Sequence, residues 1–134
     1  RRLEKMSDEN YVPLFENGRL EFIHEEQELF DGIFLKIVNG HTQGQIIPIV
    51  QYKNRSIVFM ADFIAYAGQI PLPYIPSFDV HPLISVEEKA SFLKTALDNN
   101  YVLFFEYDIP NECCDLQMTP KGIRAGNSFT LNNL

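Results

Sequence analysis

Two apolar runs, SIVFMAD from Ser56 to Asp62 and YVLFFEYD from Tyr101 to Asp108, limit what this chain can become. A strand with one wet face alternates apolar and polar residues, whereas these runs stay apolar until they end in acids. Each therefore needs cover on both sides, which points to a layered α/β or α+β arrangement with helices lying on sheet. QIIPIVQY, Gln45 to Tyr52, reads as a third such strand, with Pro48 marking an edge or a bulge.

The remaining elements follow from turn residues. Asn17-Gly18 marks a turn, with a strand expected in the LEFIHEE that follows, and Asp31-Gly32 marks another before the strand IFLKIV. Four of the eight prolines fall between Pro71 and Pro82, which makes that stretch an extended loop of the kind that borders sites. SVEEKASFLKTALD reads as a helix with a Ser85–Glu88 capping box and an apolar stripe at Val86, Ala90, Leu93 and Leu97, ended by Asn99-Asn100. CDLQMTPKGIRA reads as a closing hairpin turning at Pro120-Lys121-Gly122.

At 134 residues the chain has room for one domain, and a hydrophobic fraction of 46% excludes a disordered one. A net charge of −7 argues against nucleic acid or an anionic membrane as partner. The densest basic cluster, RRLEK at the amino terminus, is short and interrupted by an acid. No apolar run approaches the ~20 residues that span a bilayer. The two cysteines are adjacent, Cys113 and Cys114, so they build no disulfide framework and are expected as buried thiols in a reducing cytoplasm.

The residue that asks most for a chemical reason is His41, in NGHTQGQ. Glycines at 40 and 44 let the backbone bend and approach a neighbour closely, and Thr42 can tie the loop to itself. A loop that presents one imidazole at a strand end can hold a metal ligand, and Asp62 is read at the end of the next strand, where adjacent strand ends bring both groups to one rim. Imidazole nitrogen with carboxylate oxygen suits zinc, iron or manganese. Taken singly, such a histidine is more often an ordinary loop residue, and such an aspartate a turn residue.

Together, GHTQGQ, a strand pair, IVFMAD, a proline-rich loop, a helix and LFFEYD resemble the carboxy-terminal half of the metallo-β-lactamase superfamily. The resemblance runs from about residue 15 to 125. It implies that residues 1–134 form one half of a four-layered αβ/βα sandwich and a fragment of a longer chain. It implies a metal-dependent hydrolase of esters, lactones, thioesters or similar small molecules. His41 and Asp62 would be metal ligands, and Asp62 the residue orienting the attacking water. One or two zinc ions would be bound, with iron or manganese as alternatives.

The chain departs from the family pattern in two places. The H-x-H-x-D-H motif is absent, and the three histidines here, His24, His41 and His81, lie far apart. Tyr107 stands where the family's last ligand histidine falls, so a second metal is expected to bind weakly. Tyr107, Gln69 and His81 are candidates for substrate contact or for supporting the ligands. The competing reading is a non-catalytic half-domain that self-associates. Either way, a missing amino-terminal half or a second copy of the chain is the expected partner.

Overall fold

The computed structural model describes residues 8–134. Seven strands form one sheet in sequential order: β1 (Gln27–Phe30), β2 (Ile33–Val38), β3 (Gln45–Tyr52), β4 (Arg55–Phe59), β5 (Val102–Phe104), β6 (Cys113–Thr119) and β7 (Gly122–Phe129). All neighbours are antiparallel except β4 and β5. A parallel pair needs a long crossover, supplied by the proline-rich loop and helix α2 (Pro82–Asp98).

The register explains why the strands are apolar on both sides. Phe34, Ile49, Val58, Leu103 and Cys114 pair in a row across β2 to β6. Except for Phe34, these residues join Phe92, Leu93 and Ala96 of α2 in the core. Each large apolar side chain so buried contributes about 1.5–3 kcal/mol. A second row, Ile33, Val50, Ile57 and Val102, crosses β2 to β5 on the opposite face. Ile46 shares that face and stays 39% exposed, with Val50 at 36%. The layered architecture expected from the sequence is present, with one side of the sheet only partly covered.

Several local expectations need correction. LEFIHEE forms no strand; regular pairing begins at Gln27. The turn before it holds, with Gly18 at φ 64°. A helix absent from the sequence reading, α1 (Asp8–Glu16), spans Pro13, whose missing N–H weakens the helical signal. The RRLEK cluster lies outside the described residues. Helix α2 starts three residues before the expected cap, with Pro82 in its first turn and His81 as N-cap. Ser85 and Glu88 therefore form no capping box and serve the neighbouring loops instead. The buried face is Ser85, Lys89, Phe92, Leu93 and Ala96, so the apolar stripe at Val86, Ala90 and Leu97 lies on its flank.

Pro48 lies inside β3, opposite Leu35 of β2 and one residue beyond the β3–β4 ladder, where a missing N–H costs that ladder nothing. Cys113 and Cys114 are fully buried free thiols. Burial, followed by neighbouring carboxylates, pushes them up to about 11 and about 12, so they stay protonated and inert.

Candidate metal centre

His41 sits in the loop after β2, and α2 shapes that loop. The Glu88 carboxylate accepts the backbone N–H of Asn39 at 2.8 and 3.0 Å, and that of Gly40 at 3.0 Å. Asn39 in turn accepts the Gly44 N–H at 2.9 Å, closing the turn. The two glycines have different reasons. Gly44 adopts φ 77° in open space, while a Cβ at Gly40 would meet the Ser85 backbone at 2.5 and 2.6 Å. The end of the proline-rich loop zips onto the same segment, with Val80 N–H donating to His41 O and His81 N–H to Gly40 O.

The imidazole is held from behind. Its Nδ1 lies 2.9 Å from Asp79 Oδ1, and Asp79 Oδ2 accepts the Ser85 hydroxyl at 2.5 Å. The Asp79 side chain is 4% exposed. A carboxylate offers only lone pairs, so this contact puts the hydrogen on Nδ1 and leaves the Nε2 lone pair facing outward. Phe78 packs edge-on against the ring.

Nε2 stands 3.8 Å from Asp62 Oδ2. That is too long for a hydrogen bond. Two donors at 2.0–2.2 Å from a tetrahedral zinc stand roughly 3.4 Å apart, close to the 3.8 Å seen here. Asp62 follows β4 across a sharp bend at Ala61, whose φ of 43° is costly for a residue with a Cβ. The Asp62 side chain is 45% exposed, open to a ligand.

Tyr107, beyond β5, shares a cavity of about 760 Å³ with Asp62; Tyr66, Gln69, Tyr74 and Phe78 also line it. The Asp62 carboxylate first, then Glu106, raises the Tyr107 phenol above its usual value, so it stays neutral. Asp108 ties the two rim loops together by accepting the Ala67 N–H at 2.8 Å.

The structure thus brings His41, Asp62 and Tyr107 to one rim. Gln69 reaches the cavity, but its amide oxygen accepts the Ala65 N–H at 2.9 Å and so serves the loop. The side chain of His81 lies apart, beside a separate shallow depression with Val80 and Pro82. Of the two acids that do most to orient His41, the sequence marks Glu88 only as a capping residue and does not mark Asp79. The donor chemistry fits a metal, but the set is short. Among the described residues no group of three or more His, Cys, Asp and Glu is arranged to hold one.

No protein-family model and no curated protein matches the sequence. Solved structures do. A probable metal-dependent hydrolase from Staphylococcus aureus is similar at a TM-score of 0.74 and 18% identity, over 88% of this chain and 42% of its own. AidC, a dizinc quorum-quenching lactonase, is similar at 0.70 and 19%, over 95% of this chain and 46% of its own. The hydrolase AbOPH of the β-lactamase superfamily is similar at 0.74 and 17%, over 92% and 43%. The chain spans less than half the length of each. Its fold is that of one part of these three hydrolases, one of which, AbOPH, is of the β-lactamase superfamily.

Proposed function

We propose that this fold, shared with part of several metal-dependent hydrolases, supplies two metal ligands and a substrate-facing rim to a hydrolase acting on an ester, lactone, thioester or similar bond. The observation that carries the reading is the outward Nε2 of His41, fixed by Asp79 and 3.8 Å from Asp62 Oδ2. When bound, zinc at such a site supplies hydroxide near neutral pH and polarises the bond under attack. His41 contributes a neutral nitrogen donor and moves no proton. Asp62 offers one carboxylate oxygen as ligand and accepts a hydrogen bond from the attacking water at the other. Tyr107, kept neutral by Asp62, donates its O–H to substrate oxygen within the cavity. A catalytic zinc takes about three protein ligands, so the remaining donors come from outside the described residues, from the rest of a longer chain or from a second copy. The test is zinc binding by the metal-stripped complete protein, with hydrolysis of p-nitrophenyl, lactone and thioester probes before and after reloading. A complete protein that binds no zinc, or hydrolyses all probes equally well when stripped, sinks the reading.

The partner of His41 gives a graded prediction. Asp79→Ala removes the carboxylate that fixes the tautomer, and such supports are worth about 10–100-fold in metal affinity. Competition against a chromogenic chelator should show that loss in the complete protein. Unchanged affinity would mean that the Asp79 contact does not orient a ligand.

Tyr107 gives a second. Tyr107→His places a nitrogen donor beside Asp62, and zinc per complete chain should rise toward two after dialysis against limiting metal. The gain should vanish when Asp62→Ala is added. If wild type already holds two zinc ions, or the substitution changes nothing, Tyr107 is not at a ligand position.

The self-associating half-domain is kept as a second reading because Ile46 and Val50 leave one sheet face partly bare. The 134-residue chain alone should sediment as a dimer or larger at ~100 µM, and Ile46→Lys with Val50→Lys should shift it to monomer. A monomer from the start would show that this face needs no cover.

A further inference from the structure

We propose that Lys89 is a positioning residue for this site: its ammonium latches the proline-rich segment into the wall of the cavity that opens on Asp62. The proposal rests on the hydrolase reading for its bearing on substrate, and on geometry alone for the latch itself.

Lys89 is 1% exposed in the middle of α2. Lysine is almost never buried so completely unless it is paired, and no carboxylate lies within ion-pair distance of it among the described residues. Nζ instead donates to three backbone carbonyls, Gln69 O at 2.8 Å, Pro71 O at 2.9 Å and Tyr74 O at 3.0 Å. An ammonium has three N–H bonds, and each has an acceptor. Burial holds the amine down to about 8, partly offset by the Asp79 carboxylate. Methionine or leucine would fill the same space without that desolvation. What lysine adds is three convergent donors.

Those donors matter because the segment cannot hold itself. Pro71, Pro73 and Pro76 have no N–H to give, so half of positions 71–76 cannot donate to any internal bond. Its backbone bonds are local turns, Tyr74 N–H to Pro71 O, Ile75 N–H to Pro73 O and Asp79 N–H to Pro76 O. Among the described residues no strand pairs with it. Yet Gln69, Pro73 and Tyr74 form one side of the cavity, with Asp62 and Tyr107 also in its lining. The same helix turn that sends Glu88 to the His41 loop thus sends Lys89 to the wall. Ligand loop and wall share one rigid support.

The test compares wild type, Lys89→Met and Lys89→Gln in the complete protein. Hydrogen exchange across Gln69–Ile75 should accelerate roughly tenfold in Lys89→Met, with the sheet amides of β2–β5 unchanged, and by less in Lys89→Gln, which keeps two donors. Zinc affinity should stay within about twofold, since no ligand is touched. With p-nitrophenyl butyrate as probe, KM should rise roughly tenfold while kcat holds within about threefold, because the wall holds substrate and does no chemistry. Exchange that is unchanged, or that accelerates evenly over the whole sheet, overturns the latch, as does failure of both variants to fold. A fall in kcat at constant KM overturns its positioning role. If wild type turns over no probe, the hydrolase reading fails, and the latch is decided by exchange alone.

Discussion

In the complete protein, His41→Ala is expected to lose zinc affinity by roughly a hundred- to a thousandfold, and hydrolysis of any probe with it. Structural zinc sites with four ligands bind with about 10–16 kcal/mol, or roughly 2.5–4 kcal/mol per ligand, and each ~1.4 kcal/mol is tenfold. The imidazole is pre-set, with Nδ1 committed to Asp79 and Nε2 facing Asp62, so alanine removes a donor that binds without reorganisation. Asp62→Ala should have a comparable effect, because Oδ2 is the other atom facing that space. His24→Ala and His81→Ala serve as controls. His24 stacks near Phe22, and His81 lies at the start of α2, away from the cavity. Isothermal titration after metal stripping would read all four. Equal affinity in His41→Ala and His81→Ala would remove His41 from the metal site.

Periodicity exposed the part of the fold that burial dictates. IVFM and VLFF announce strands covered on both sides because no other placement keeps so many apolar residues from water, and both lie at the centre of the sheet. Apolar content alone misled at LEFIHEE. That segment has the composition of a strand, but nothing in its own residues says whether a neighbour will pair with it, and here none does. The capping box failed for a related reason. Ser85 and Glu88 have the right spacing for a helix start, yet Pro82 begins the helix one turn earlier, where a proline loses nothing by lacking an N–H.

The candidate site divides along the same line. His41 and Asp62 stand out because turn glycines and strand ends are local signals, and β3 and β4 form a hairpin that returns the chain to one rim. Asp79 and Lys89 do not stand out. An acid in a loop and a lysine in a helix are the commonest solvent-facing residues, and only the packed molecule shows one 4% and the other 1% exposed. Helix reading also assumes that the buried face is apolar. Helix α2 breaks that rule in its first two turns, where Ser85 and Lys89 face inward and Glu88 reaches across to the His41 loop. There the helix supports two irregular segments whose backbone groups lack partners of their own. The polar residues on its covered face answer those carbonyl and N–H groups one by one.

That division predicts which glycine of the His41 loop matters for stability. Gly40→Ala is expected to destabilise the chain by about 2–4 kcal/mol, and Gly44→Ala by about 1–2 kcal/mol. Gly44 needs only its left-handed φ of 77°; an added methyl meets nothing within 4 Å, so the cost is backbone strain alone. At Gly40 the methyl would enter the space of the Ser85 backbone nitrogen and Cα, which sit in a helix held by Phe92 and Leu93 and cannot yield. The loop must then lift from α2. Lifting it stretches the Glu88 bonds to Asn39 and Gly40 and the bond from His81 N–H to Gly40 O. His41 moves with the loop, so zinc affinity should fall in Gly40→Ala and hold in Gly44→Ala. Urea unfolding of both variants reads the first difference and chelator competition the second. If Gly44→Ala proves the more damaging in either assay, the loop is fixed by its own turn geometry and α2 is not its support.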